Sequence, residues 1–179
     1  MQNQLNSLKQ TDVSFLGEKG QVALSELKTA YTNMLKDYDA LEKSDQTYRV
    51  FFDNSLAKND GANYYDIQSN TVMIGISHTI DKKDAGFYGL VGQELEHGAQ
   101  FENGELSYDK TTGGPGHLYD VTDEMKSFDV DKIINNGISF FLDPSIKTTE
   151  QEVLRKDNYK VIFENIDRNP QNSIYRQNK

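Results

Sequence analysis

Gly86–Phe101, GFYGLVGQELEHGAQF, is the stretch that decides the fold. Phe87, Leu90, Glu94, His97 and Phe101 recur at steps of three and four, so the run reads as one helix with all five on a single face. An acid and an imidazole on an otherwise apolar face are costly to desolvate unless they bind each other, a metal or a substrate. Glu94 and His97 are therefore the first candidate functional residues. Gln93 stands directly before them, in the run Gln93-Glu94-Leu95-Glu96-His97.

Upstream of this helix, Gln21–Ser44 carries Leu24, Leu27, Tyr31, Met34, Leu35, Tyr38 and Leu41 on one face and reads as an amphipathic helix. Tyr48–Phe52 is aromatic and β-branched and suits a strand. Tyr64–Ile67 and Thr71–Ile76 suit two more, around a turn at Gln68–Asn70, while the polar stretch Asp53–Asn63 reads as a loop. The expectation is a small antiparallel sheet laid down before the central helix, with Asp84 as that helix's N-cap. Residues 1–20 are polar with scattered Leu and Phe, and are expected as a flexible arm ahead of a single domain spanning 21–179.

Downstream, Asn103-Gly104 ends the central helix. Glu105–Tyr119 holds Gly113-Gly-Pro-Gly116 and is expected as a mobile loop over Glu94 and His97. Asp120-Val-Thr-Asp123 has capping-box spacing and opens a second helix that runs to about Asn135-Asn136-Gly137. Ile138–Leu142 is a short apolar run, Thr149-x-x-Glu152 caps a short helix, and Tyr159–Phe163 fits strand or helix. Asn169–Lys179 is expected to fray. The fold class is α+β: a small sheet, two site-bearing helices joined by a glycine-rich loop, and an N-terminal amphipathic helix.

A net charge of -9 with no local cluster of Lys and Arg argues against a nucleic-acid groove or an anionic membrane surface. The absence of Cys excludes disulfides and thiolate sites, so a metal would need His, carboxylate, amide or backbone oxygen. No apolar run is long enough to span a bilayer, and the first residues lack the basic and apolar regions of a secretory signal peptide. The chain is expected to be soluble and cytoplasmic unless carried elsewhere.

Residues 93–97 match the zinc-protease pattern H-E-x-x-H with its first histidine replaced by Gln93. In such a helix two histidines reach one zinc, and the glutamate beside them takes a proton from the metal-bound water. The third ligand comes from elsewhere. The next helix opens with Asp123-Glu124, which makes Glu124 the preferred third ligand and Asp123 the alternate, and a short connection makes the two helices neighbours. His117, in the glycine-rich loop, is a candidate replacement ligand or oxyanion-stabilising group, and Tyr119 a candidate transition-state donor. Each has a plainer reading. Glu94 and His97 serve as a structural buried pair, Glu124 as a first-turn acid, and His117 as a solvated loop residue. No Gly-x-Ser-x-Gly elbow is present, and a carboxylate-pair glycosidase is a distant third in a chain without Trp.

Taken together, Tyr65–Ile76, Gly92–Phe101 and Tyr119–Glu124 resemble the zincin-like, H-E-x-x-H-type metallopeptidase effector domains that end many bacterial RHS-repeat and other polymorphic toxins. The resemblance covers residues 21–136 in order. It implies Glu94 as general base and His97 and Glu124 as zinc ligands, with Gln93 or His117 completing the shell. It also implies a protein or peptide substrate, an immunity protein as partner, and delivery as part of a secreted toxin. Gln93 is the departure. Its amide oxygen is a weaker zinc ligand than imidazole, and the loss should cost at least roughly 10–100-fold in affinity or activity. Gln93 then ligates weakly, or Glu94 turns to become a ligand, or the site holds no metal and Glu94 bonds His97. The expected function is a metallopeptidase-like effector domain whose zinc-dependent hydrolysis is impaired by Gln93. The alternative is the same fold kept as a catalytically inactive protein-binding module.

Overall fold

The computed structural model describes residues 2–10, 16–83 and 85–176. In chain order these form α1 (Gln2–Gln10), α2 (Glu18–Lys43), β1 (Thr47–Asp53), β2 (Gly61–Asp66), β3 (Thr71–Ser77), α3 (Ala85–Glu102), β4 (Tyr108–Asp109), α4 (Val121–Asn136), α5 (Ser139–Leu142), α6 (Glu150–Arg155), α7 (Asp157–Asn165) and β5 (Ser173–Ile174). The class is α+β, with the amphipathic helix in place as α2.

The main sheet corrects one expectation, because it is mixed. Its order is β1-β3-β2: β2 and β3 form an antiparallel hairpin, and β1 lies on the other side of β3 and runs parallel to it. The physical reason is burial. Val72, Ile74 and Ile76 of β3 are almost fully excluded from water, so the most apolar strand takes the centre and leaves the two more polar strands at the edges. The hairpin turn is closed by Asn70 at φ 54°, a left-handed conformation that Asn tolerates. β2 begins at Gly61, inside the stretch expected to be loop, because Ala62 and Asn63 continue the pairing opposite Gly75 and Ile74.

Two apolar clusters flank α3. Leu24, Leu27, Tyr31 and Met34 of α2 meet Val130 and Ile133 of α4 and Phe140 of α5 in one; Tyr65, Val72, Ile74, Phe101, Leu106 and Tyr108 form the other. The α3–α4 contact is close because Gly92 has no side chain: a Cβ there would stand 3.2 Å from Val130 Cγ1 and run into Ile134. This closeness brings the start of α4 beside the middle of α3.

Several segments depart from expectation. Residues 2–10 form α1 rather than an open arm, with Leu5 buried against the α2 cluster. The apolar run at 138–142 supplies α5 from Ser139 onward, and 159–163 takes the helical one of its two expected forms, in α7. Residues 105–119 contain buried Leu106, Ser107 and Tyr108 and the strand β4, which pairs with β5. Residues 169–176 are tied down accordingly, and Arg176 donates to Glu102 Oε2 at 2.6 Å. Asp84, the expected N-cap, lies outside the described residues. Among those residues no helix is long and apolar enough to cross a membrane.

Candidate functional site

The face of α3 that carries Glu94 and His97 looks into a cavity of about 380 Å³. Gly61 and Asn63 of β2 form one wall, Leu106, Tyr108 and Pro115 a second, and Glu124 of α4 with Tyr159 of α7 a third. Helical spacing puts Glu94 and His97 on this face, and the α4 N-terminus brings Glu124 to it. The Asp120 carboxylate caps α4 by accepting the Thr122 N–H at 2.7 Å, and Asp123 returns the bond by accepting the Asp120 N–H at 2.8 Å. That cap fixes the first turn of α4, and with it the direction of Glu124.

His97 is held at both ring nitrogens. Its Nε2 lies 3.2 Å from Glu124 Oε1, and its Nδ1 lies 2.9 Å from Gln100 Oε1. The Gln100 amide donates from Nε2 to the Asp123 carbonyl at 3.0 Å, so its oxygen faces the imidazole and His97 Nδ1 carries the hydrogen. The Tyr119 hydroxyl donates to the same Glu124 oxygen. Burial works against the imidazolium, but the hydrogen bond and charge of Glu124, helped by Glu94 and Gln100, lift the His97 pKa to about 9. Burial likewise pushes Glu124 up, and its contacts with His97 and the Tyr119 and Tyr159 hydroxyls overcome that and hold it below the usual range. At neutral pH the two form a buried ion pair.

Glu94 is set apart from that pair. Asn63 Nδ2 donates to its Oε2 at 2.5 Å and to its carbonyl oxygen at 3.1 Å. Opposite stands Gly61, where any Cβ would strike the Glu94 carboxylate; glycine is required for the strand to pass so close. Burial is the main influence on Glu94, and with the negative charges of Glu124 and Asp60 it outweighs His97 and Asn63, pushing the pKa up to about 7.

The structure thus brings Gln93, Glu94, His97 and Glu124 to one cavity, with Gln93 half-buried in its wall. It places Asp123 and His117 elsewhere. Asp123 is committed to the helix cap, and burial raises its pKa to about 6. His117 points to the C-terminal segment, where the Tyr175 hydroxyl sits 2.9 Å from its Nδ1. Tyr119 is committed to Glu124. Sequence reasoning missed four contributors: Asn63, Gln100, Tyr108 and Tyr159. Gln100 was legible, three residues after His97 on the same helix; the other three reach the cavity only through tertiary packing.

The residues present do not fit a three-ligand zinc shell. Among the described residues no three His, Asp or Glu side chains are grouped to hold a metal ion. α3 offers one imidazole, and its Nε2 faces Glu124 in an ion pair that a metal would have to displace. Gln93, the residue at the other histidine position, contributes a neutral amide. What the arrangement offers by itself is a carboxyl group near neutrality beside a fixed dipolar pair, in a cavity lined by both polar and apolar side chains. Comparison of the chain with protein-family models, with curated proteins and with solved structures finds no match.

Proposed function

We propose that this domain is a metallopeptidase-like effector disarmed at its metal centre, a peptide-binding module on the frame of a peptidase. The observation that carries this reading is the position of His97. The single imidazole of α3 is engaged by Glu124 and Gln100, and Gln93 stands where its counterpart would be. Peptide access follows from β2. The Tyr65 N–H leaves the outer edge of that strand to meet the Gly113 carbonyl at 2.8 Å. By the two-residue period of a strand, the backbone groups of Asn63 point from the same edge, at the cavity wall. An extended peptide adding to that edge runs past Glu94. Its partners are a protein or peptide ligand and, where the domain is carried in a secreted toxin, an immunity protein.

A second reading, an active metallopeptidase, is favoured by Glu94, whose pKa of about 7 suits a general base. Elemental analysis separates the two. Metal-free protein of equal stability in wild type and His97→Ala supports the disarmed module. Stoichiometric zinc that disappears in His97→Ala, with peptide cleavage lost in Glu94→Gln, supports the peptidase. Installing the missing ligand as Gln93→His tests the frame itself: gained zinc and proteolysis are expected, and an unchanged protein would refute the peptidase ancestry of the site.

A further inference from the structure

We propose that the cavity is a receptor for a primary ammonium group, presented as a lysine side chain or as the free α-amine of a peptide. The proposal rests on the peptide-binding reading above and adds the chemistry of the bound residue.

The first support is a count of unpaired polar atoms. Among the described residues, Asn63 Oδ1, Tyr108 Oη and Glu124 Oε2 are buried without a hydrogen bond of good geometry, and all three residues line the cavity. Tyr108 and Glu124 are 1% and 2% exposed, so bulk water does not satisfy them. The Asn63 amide turns its nitrogen to two acceptors, the carboxylate and the carbonyl oxygen of Glu94, which leaves its oxygen as the atom without a partner. A carboxylate and an amide oxygen are acceptors only, and a phenol oxygen also accepts. A group rich in N–H donors satisfies all three, and an ammonium carries three N–H bonds and no acceptor.

The second support is charge. The cavity is lined by Glu94, Glu124, Asp60, His97 and Lys156. His97 and Glu124 cancel each other. The Lys156 ammonium lies 3.7 Å from the centroid of the Phe128 ring, and the aromatic face engages it there. Glu94 in the wall and Asp60 at the exposed mouth are left without a cation of their own, and the chain as a whole carries -9, which draws cations towards it. An aliphatic stem would lie along Leu90, Leu106 and Ile162, which supply the apolar part of the lining.

The experiment is a binding titration by NMR on full-length protein stripped of metal with EDTA, using three short peptides. Acetyl-Ala-Lys-Ala-amide presents only the side-chain ammonium, Ala-Ala-Ala-amide only the α-amine, and acetyl-Ala-norleucine-Ala-amide has the lysine stem without charge. At least one ammonium peptide is expected to bind tenfold or more tightly than the norleucine peptide, and which one does so identifies the source of the ammonium. Glu94→Gln should remove most of that advantage. Tyr108→Phe should reduce it several-fold without lowering the melting temperature, because the hydroxyl it removes has no partner within the fold. Equal binding of all three peptides would overturn the ammonium proposal and leave peptide binding intact. A Tyr108→Phe variant that melts earlier yet binds unchanged would overturn it as well. Failure of every peptide to bind would refute the peptide-binding reading and this proposal with it, and zinc alone binding the EDTA-stripped protein at this site stoichiometrically would refute the proposal in favour of a metal site.

Discussion

Replacing Glu94 with glutamine removes one buried ionisable group at nearly constant volume. Its effect on stability has a sign fixed by the environment. The carboxyl pKa is raised from 4.5 to about 7 in the folded state, with burial the leading cause. A raised folded pKa means that this group's contribution to stability is fully present below about pH 4.5 and is lost as the pH rises through 7. The gap corresponds to about 3 kcal/mol at 1.36 kcal/mol per pH unit. Glu94→Gln should therefore match wild type near pH 4.5 and exceed it by about 2–3 kcal/mol at pH 8.5, the lower figure allowing for the attraction between Glu94 and His97 that the variant forfeits. Asn63 Nδ2 keeps an acceptor in the glutamine oxygen. Denaturant unfolding at several pH values between 4.5 and 9 measures the difference directly. The wild-type curve should decline across that range, and the variant should retain the shallower decline due to His97 and Asp123, whose pKa values of about 9 and about 6 are also raised. A variant destabilised by the same amount at every pH would refute the reasoning, because it would show Glu94 to be ionised and satisfied throughout.

Three other perturbations test neighbouring contacts. Glu124→Gln leaves the His97 imidazolium buried without its main partner and should cost about 3–5 kcal/mol at pH 6, and less above pH 9 where the ring is neutral; chemical denaturation at both values checks it. Gly61→Ala drives a methyl group into the Glu94 carboxylate and should cost about 1–3 kcal/mol, read as a lowered denaturant midpoint. Arg176→Ala removes the cation that bonds Glu102 at 2.6 Å and should cost about 2–3 kcal/mol, while the Tyr48 and Ser44 hydroxyls still hold the acid. Hydrogen exchange in that variant should accelerate across β4 and β5, and unchanged protection there would mean that Arg176 does not anchor the C-terminal segment.

The amino-acid sequence by itself determined α2, α3, α4 and α6, and the buried faces of the first two. The periodic apolar positions of α2 and α3 and the capping signals at Asp120 and Thr149 are local, and each is found where its spacing puts it. The same local rule joined Glu94 to His97, and the short step from α3 to α4 made Glu124 their neighbour. Tertiary structure decided what no local pattern encodes. The place of β3 between β1 and β2 depends on which strand is covered on both sides, so a parallel pair emerged where the run of strands and the turn between the last two suggested an antiparallel sheet. Asn63 and Tyr108 lie 31 residues before and 14 after Glu94 in the chain, and they meet the cavity because the edge of one sheet and a strand of the other close over α3. His117, Arg168 and Arg176 tie the glycine-rich loop and the C-terminal segment into the fold, although composition alone marked both stretches as loose. Hydrogen bonds between residues far apart in sequence leave no periodic trace, and here they set which groups share the chamber and which charge each carries.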